Sequence, residues 1–279
     1  MIQIAGLTKV FRERVAVDNL NLQIEAGETF GLLGPNGAGK TTTIRILTML
    51  TKPTSGTATI NGWSLGVHEQ QIKSVIGIVP QHLNLDMDLT AVENLELHGR
   101  LHRLPPENRR KRIEELLEYV ELADRRNEIV STFSGGMKRR LMIARALMHN
   151  PQVLFLDEPT VGLDPQVRRR LWDLIRRLNN EGMTVLLTTH YIEEAENLCK
   201  QVAILEKGRL IALDSPGALC CRLGEYAVEW VENEGVRTQF FTSRKSAAEF
   251  ASELASETTI RRTNLEDVFV ELTGRKVTG

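Results

Sequence analysis

Cysteine, net charge and long apolar runs are all scarce in this 279-residue chain. Its three cysteines, Cys199, Cys220 and Cys221, are odd in number and lack the spacing of a zinc site, which favours a reduced intracellular protein. Palmitoylation or metal binding at the adjacent pair is the alternative. No apolar run approaches the ~18 residues of a spanning helix, and the longest candidate, Met183–Leu187, fits a buried strand. Since Met1–Ala5 also lacks the features of a signal peptide, we expect a chain that does not cross a membrane.

The balance of charges argues against a nucleic-acid-binding protein. Lys and Arg number 35 and Asp and Glu 36, so the formal charge is −1 and there is no overall positive field. Two local basic runs, Arg109–Arg112 and Arg168–Arg170, fall in helix-like stretches. A solvated helix face is their simpler interpretation, and docking beside an anionic membrane leaflet or a charged partner is the alternative.

Short apolar runs alternate with helical patterns through the first three quarters of the chain. Each run has the length of a fully buried strand; they are Phe30–Leu33, Ile76–Val79, Val153–Leu156, Thr184–Thr188 and Val202–Leu205. Asp164–Leu178 instead carries its apolar residues at helical spacing. Strands separated by helices predict an α/β core with a mostly parallel sheet covered on both faces.

Two segments depart from this alternation. Between about residues 89 and 145 the strand signals vanish, which predicts an all-helical subdomain inserted into a domain that spans residues 1–222. Beyond it, residues 223–279 form a predicted small α+β accessory domain. There, Tyr226–Val231 and Thr238–Thr242 read as paired strands, and Lys245–Leu254 and Leu265–Leu272 as helices.

A glycine-rich turn between a strand and a helix matches the phosphate-binding pattern G-x-x-x-x-G-K-[ST] at every fixed position. The residues are Gly34, Pro35, Asn36, Gly37, Ala38, Gly39, Lys40 and Thr41, with Thr42 next in the helix. Glycines let successive N–H groups point at phosphate oxygens, and the helix start adds its positive end. Lys40 is placed to reach the β- and γ-phosphates and the Thr41 hydroxyl to bind Mg²⁺. The pattern therefore predicts a nucleotide-binding site.

The apolar strand Val153–Leu156 ends in two carboxylates, Asp157 and Glu158. On its own a strand that ends in Asp-Glu is more often structural. Downstream of a phosphate loop, it is the expected second half of a nucleotide-hydrolysing site, with Asp157 holding Mg²⁺ and Glu158 polarising the attacking water.

Five further features, in order along the chain, resemble motifs of the ABC (ATP-binding cassette) ATPases. The segment Phe133-Ser134-Gly135-Gly136-Met137 resembles the signature usually written L-S-G-G-Q; the other matches are Phe11 (adenine stacking), Gln81 (Q-loop), Asp164 after Gly162-Leu163 (D-loop) and His190 (switch histidine). The resemblance covers about residues 1–215. It implies a P-loop core with an N-terminal antiparallel β part, in which Glu158, His190, Lys40 and Gln81 act in catalysis and Gln81 also senses Mg²⁺.

The resemblance also implies a head-to-tail dimer. Ser134, Gly135 and Gly136 begin a helical stretch, so they form a second anion-binding helix terminus. One chain cannot easily aim two such termini at one γ-phosphate, whereas two copies can. Each ATP would then lie between Lys40 of one subunit and Ser134 of the other, with Asp164 at the same interface. Asp164 also suits a helix N-cap before Pro165.

Two departures from the family pattern concern side-chain chemistry. Met137 replaces the usual glutamine of the signature, which removes a polar side-chain contact but keeps the donors of Ser134 and the glycines. Phe11 replaces the commoner tyrosine and keeps the ring face for stacking. We expect activity to persist and adenine selectivity to be modest, since stacking accepts any base.

The resemblance implies partners and a location as well. A second ATPase subunit and integral membrane permease subunits would complete the transporter, with this chain peripheral to the cytoplasmic face of the cell membrane and not bound to nucleic acid. The tail Asn264–Gly274 looks like the closing segment of ABC-2 type exporter ATPases, and its simpler interpretation is an amphipathic packing helix. Export is thus favoured over import.

The alternatives are an ABC ATPase with no transport role and a nucleotide-binding regulator without turnover. Chromosome-organising relatives need a long coiled coil between loop and signature, but only 94 positions (134 − 40) separate Lys40 from Ser134. Translation factors of the family carry two cassettes in one chain, and only one is present here. Glu158 and His190 argue against a regulator without turnover.

Overall fold

The computed structural model describes residues 1–232, 235–254 and 256–274. Its strands are β1 (Ile2–Phe11), β2 (Arg14–Ile24), β3 (Thr29–Leu33), β4 (Ser55–Ile60), β5 (Trp63–Ser64), β6 (Ile76–Val79), β7 (Val153–Asp157), β8 (Thr184–Thr189), β9 (Gln201–Glu206), β10 (Arg209–Asp214), β11 (Tyr226–Glu232), β12 (Gly235–Phe241) and β13 (Thr258–Arg262). Its α-helices are α1 (Lys40–Leu47), α2 (Glu69–Val75), α3 (Ala91–Leu101), α4 (Pro106–Tyr119), α5 (Gly135–Ala146), α6 (Pro165–Asn180), α7 (Ile192–Leu198), α8 (Pro216–Leu223), α9 (Arg244–Glu253) and α10 (Leu265–Thr273).

The central sheet has the strand order β10-β9-β3-β8-β7-β6 and is parallel except for the β9–β10 hairpin. Strands β3, β7 and β8 are buried at every residue, as their uninterrupted apolar sequences predict. Parallel strands bring their carboxyl ends to one edge of a sheet. The loops that follow β3, β6, β7 and β8, which carry the sequence-predicted catalytic residues, therefore lie side by side.

An antiparallel sheet of order β2-β1-β4-β5 packs its apolar face against α1 and the central sheet. Strands β1 and β2 form a hairpin in which Phe11 pairs with Arg14, so both residues stand at its tip. This is the N-terminal antiparallel part that the family resemblance implied.

Helices dominate the segment predicted to be all-helical. The N-terminus of α3 has a capping box in which Thr90 and Glu93 satisfy each other's backbone N–H groups. Pro106 at the first position of α4 needs no hydrogen bond there. Short 3₁₀ turns and a single bridge between Thr90 and Ile129 complete the segment. The predicted α/β class with a mostly parallel sheet and a helical insert is confirmed, whereas the domain boundaries stay a prediction.

The C-terminal part contains a sheet of order β12-β11-β13 with α9 against one face. The two predicted strands and two predicted helices are present, but β13 was missed because its sequence, Thr-Thr-Ile-Arg-Arg, has too few apolar residues to show alternation. Arg261 of β13 bonds Glu229 of β11 and Asp267 of α10, which ties the sheet to the last helix. Residues 233–234, 255 and 275–279 of the predicted accessory domain lie outside the described residues.

A search of the described residues for membrane-spanning helices finds none of sufficient length and apolar character.

Candidate functional site

The phosphate loop joins β3 to α1 and wraps around the Lys40 ammonium. Lys40 Nζ donates to the backbone oxygens of Gly34 at 2.7 Å and Pro35 at 3.2 Å. Gly37 and Gly39 have φ of 82° and 103°, which glycine adopts without strain. A side chain at Gly39 would also stand 2.5 Å from the backbone oxygen of Ala16. The loop therefore needs glycine here for both its curvature and its contact with β2.

A cavity of about 560 Å³ opens in front of this loop. Its lining brings together residues from the β1–β2 hairpin, the loop and the ends of two sheet strands: Phe11, Arg14, Ala16, Asn36, Gly37, Ala38, Gly39, Lys40, Thr41, Thr42, Gln81 and Glu158. The Phe11 ring, 47% exposed, presents a free surface at the rim, with Lys9 Nζ 4.8 Å from the ring centroid. The volume and the aromatic rim suit a nucleotide whose phosphates reach the loop.

Asp157, at the end of β7, is fixed by two hydroxyls. Its Oδ1 accepts from Thr41 Oγ1 at 3.0 Å and from Thr188 Oγ1 at 2.6 Å. Thr188 lies opposite Asp157 in the parallel register of β7 and β8, which is why a residue 31 positions away reaches it. The hydroxyl oxygen of Thr41 and the carboxylate of Asp157 thus stand next to each other at the edge of the cavity.

Glu158 contacts the other three predicted catalytic residues. Its carboxylate lies 3.5 Å from Lys40 Nζ and accepts from Gln81 Nε2 at 3.1 Å. His190 Nδ1 is 3.3 Å from Glu158 Oε2, in contact but outside hydrogen-bonding geometry. Glu158 has a φ of 47°, a left-handed conformation that is uncommon for a residue with a side chain and frequent at functional sites.

Burial lowers the pKa of Lys40, and the charges of Glu158 and Asp157 oppose that shift. The Lys40 side chain is only 3% exposed, yet its ammonium faces a carboxylate and backbone oxygens that stabilise its charge. A buried cation held beside a phosphate loop is placed to donate to phosphate oxygens in place of Glu158.

The signature residues lie outside this cavity. Ser134 caps α5 by accepting from Met137 N at 3.3 Å, and both Ser134 and Gly135 are exposed. Gly136 packs so closely on Val167 that a side chain there would clash. Ser134, Gly136 and Met137 border a separate cavity of about 210 Å³. Asp164 caps α6 through Val167 N at 2.9 Å, as its capping interpretation predicts, and likewise does not line the nucleotide cavity.

The oxygen ligands present fit Mg²⁺. Thr41 and Asp157 supply a hydroxyl and a carboxylate 3.0 Å apart, and magnesium prefers such hard oxygen donors completed by phosphate and water. Throughout the described ranges there is no group of three His, Cys, Asp or Glu side chains able to hold a metal ion. Thr41 and Asp157 would therefore hold the ion together with nucleotide phosphates.

Sequence reasoning missed three residues that the structure places at the site. Arg14 lines the cavity beside Gly37, Thr188 supports Asp157, and Arg139 reaches the Q-loop from inside α5. For Thr188, a polar residue in an apolar strand two positions before His190 was an available signal. Arg14 and Arg139 had no such signal in the sequence, since each lies among polar residues typical of a protein surface.

Comparison with known proteins identifies the family. Residues 17–161 match the family model described as "ABC transporter". The chain is 42% identical over 248 residues to the linearmycin resistance ATP-binding protein LnrL of Bacillus subtilis, covering 89% of this chain and 80% of that protein. It is 40% identical over 300 aligned positions to the Nod factor export ATP-binding protein I of Cupriavidus metallidurans, covering 99% and 98% of the two chains.

A solved structure gives the same result. The dimeric post-hydrolysis state of the ATP-binding cassette MJ0796, bound to ADP and Pi, superimposes with a TM-score of 0.70 at 32% identity, over 77% of this chain and 98% of that one. The chain belongs to the ABC transporter family, and the family predicted from its motifs is confirmed. Its cassette binds ATP and hydrolyses it, as the ATP-binding domains of this family do.

Proposed function

We propose that this chain is the transport-coupled ATPase subunit of an exporter, and that it works as a head-to-tail dimer on separate membrane subunits. The proposal rests on one observation: the chain has two anion-binding helix N-termini, and they lie apart from each other. Lys40 and the start of α1 face the nucleotide cavity, whereas Ser134 and the start of α5 are exposed elsewhere. A second copy can bring its Ser134 to the first copy's phosphates.

In this proposal the buried cluster around Glu158 performs hydrolysis. The loop amides and Lys40 hold the β- and γ-phosphates, and Thr41 and Asp157 would hold a Mg²⁺ ion, which would offset the charge of those phosphates. As Lys40 turns to the phosphate, Glu158 is left to polarise a water, with His190 beside the γ-phosphate and Gln81 oriented by Glu158. Phe11 stacks on the base, and Asp164 contacts the partner subunit.

ATP closes the dimer because its γ-phosphate is an anion shared by two surfaces, and hydrolysis removes that bridge. The helical segment that contains α3, α4 and α5 would transmit the change to a permease at the cytoplasmic face of the membrane. Export is supported by the names of the relatives, one a linearmycin resistance protein and one a Nod factor export protein. The tail Asn264–Gly274 resembles exporter ATPases, although its helix α10 also buries Leu265, Val268 and Phe269 as a packing helix does.

The Glu158→Gln variant tests the proposed chemistry. It keeps the size of the side chain and removes the carboxylate charge, so we expect ATP binding and ATP-dependent dimerisation to persist while turnover falls by about three powers of ten. On the purified chain, phosphate release measures turnover, and sedimentation velocity in the presence of ATP measures dimerisation. Near-normal turnover would show that Glu158 has another role, and a wild type that binds ATP without releasing phosphate would favour a nucleotide-binding regulator.

Co-purification with membrane subunits tests the transport role. The predicted result is a complex whose ATPase rate rises when the exported compound is added. A chain that hydrolyses ATP but associates with no membrane protein would instead favour a non-transport ABC ATPase.

A further inference from the structure

Arg139 is a buried guanidinium in the middle of helix α5. It is 5% exposed, while its neighbours Lys138 and Arg140 are partly accessible. Most of the other buried residues of this helix, such as Leu141 and Met142, are apolar. A buried charge costs free energy that an apolar side chain would avoid, so its contacts call for an explanation.

The guanidinium of Arg139 forms hydrogen bonds with the backbone of the Q-loop. Nη1 donates to the Pro80 oxygen at 2.9 Å and Nη2 to the Gln81 oxygen at 3.1 Å. The side chain of Gln81 donates at 3.1 Å to Glu158 in the nucleotide cavity. Arg139 is therefore joined to the proposed catalytic carboxylate through a single intervening residue.

The electrostatic surroundings tie Arg139 to the same site. Burial lowers the pKa of Arg139, and the charges of Glu194 and Asp157 oppose that shift. An arginine stays protonated in such surroundings. Its charge thus stabilises the Q-loop carbonyls and is attracted by the carboxylate at the proposed metal position.

Arg139 also belongs to the helix that presents the signature. Ser134 caps α5, and Arg139 follows five positions later, about 7.5 Å along the axis at 1.5 Å per residue. A helix of this length moves as a rigid body. A displacement of this helix would therefore move Ser134 and Arg139 together, along with the Q-loop carbonyls that Arg139 bonds.

We propose that Arg139 is a positioning residue that couples the signature end of α5 to Gln81, so that engagement of Ser134 by the partner's nucleotide sets the Q-loop in this subunit's own site. The proposal rests on the head-to-tail dimer of the proposed function. It assigns to one side chain the communication between the two nucleotide sites.

A double-mutant cycle between Arg139→Gln and Gln81→Ala tests this coupling in the full-length chain. Because Arg139 acts through Gln81, we expect each single variant to lower kcat about 10- to 100-fold and to leave the Kd of the nucleotide within about twofold, on the scale of residues that orient a site. The double variant should be no slower than Gln81→Ala alone, within about threefold. Two independent effects would instead multiply. Arg139→Lys, which keeps the charge and can bond one carbonyl, should recover part of kcat, and it replaces Arg139→Gln in the cycle if that variant does not fold.

Arg145→Gln is the matched control. Arg145 lies on the same helix, is similarly buried and bonds the backbone and side chain of Asn84, three residues beyond Gln81. We expect Arg145→Gln to lower Tm as much as Arg139→Gln does, yet to keep kcat within about threefold. Multiplicative effects of Arg139 and Gln81, or an equal loss of kcat in Arg145→Gln, would overturn the inference. A wild type without ATP hydrolysis would instead overturn the proposed function.

Discussion

The Thr188→Val substitution isolates the support that Asp157 receives from β8. Valine has nearly the shape of threonine, so the change removes the hydroxyl that donates to Asp157 Oδ1 at 2.6 Å and leaves the packing of a fully buried position intact. Thr188 Oγ1 also accepts from the Glu158 N–H at 3.0 Å, but that N–H keeps the Thr188 backbone oxygen at 3.1 Å. The loss therefore falls mainly on Asp157.

The expected magnitudes follow from these contacts. A hydrogen bond to a charged acceptor contributes about 1.5–3 kcal/mol to the free energy of unfolding. At about 2–4 °C per kcal/mol for a chain of this size, Tm should fall by roughly 3–12 °C. A group that orients a metal ligand typically changes metal affinity or activity by about 10- to 100-fold. We expect ATP hydrolysis by Thr188→Val to need about 10- to 100-fold more Mg²⁺.

Thr184→Val separates the two effects. Thr184 is also fully buried on β8, and its hydroxyl accepts from the Gly27 N–H at 2.9 Å at the opposite end of the strand from the site. This control should lose a smaller free energy of unfolding, about 0.5–1.5 kcal/mol for a hydrogen bond between neutral groups, and keep the wild-type dependence on Mg²⁺. The assay is the initial rate of phosphate release at fixed ATP over a Mg²⁺ series. Equal Mg²⁺ dependence in the two variants would refute the assignment of Thr188 and Asp157 to the metal.

Three further predictions concern the rim of the cavity and the histidines of the helical segment. Phe11→Ala should weaken nucleotide binding by about 1–3 kcal/mol, since it removes the stacking face, whereas Phe11→Tyr should bind as the wild type does; a fluorescent ATP analogue measures both. Arg14→Gln should raise the Kd for ATP several-fold and reduce its salt dependence, because a cation beside the phosphate loop is lost; an unchanged salt dependence would place the guanidinium away from the phosphates. Burial lowers the pKa of His98 and of His149 to about 4, below the 6.5 of an unfolded chain, so stability is fully present above pH 6.5 and is lost as pH falls towards 4. Because both histidines are partly exposed and solvent screens part of the effect, chemical denaturation over this range should show a loss of about a few kcal/mol, and the His98→Gln/His149→Gln variant should show a shallower slope.

The central strands and the long helices could be predicted from the sequence because burial leaves a plain pattern in it. Short runs of mostly apolar residues predicted β3, β7 and β8, and the helical spacing of apolar residues predicted α6. Strand β13 was missed because it has few apolar side chains, and it is defined by pairing with β11. Its position depends on contacts between segments distant in sequence, which local patterns do not encode.

The same distinction applies to the site. The phosphate loop and the two carboxylates form local patterns whose chemistry requires those residue types, so they could be predicted. Arg14 reaches the cavity only because the hairpin pairs Phe11 with Arg14, and Thr188 reaches Asp157 only through the register of β7 and β8. Arg139 stands in the basic run Lys138-Arg139-Arg140, which looks solvent-facing, and helical periodicity turns the middle residue inward. Each of these residues acquires its role from the fold.

Mixing two inactive variants tests the central claim most directly. In a head-to-tail dimer, Lys40→Ala keeps an intact signature and Ser134→Arg keeps an intact phosphate loop, so their heterodimer contains one complete site. We predict that each purified variant is folded and releases almost no phosphate, and that the mixture regains ATP hydrolysis in proportion to the heterodimer formed. A mixture of folded chains that associates but stays inactive would show that Lys40 and Ser134 of different subunits do not share one nucleotide.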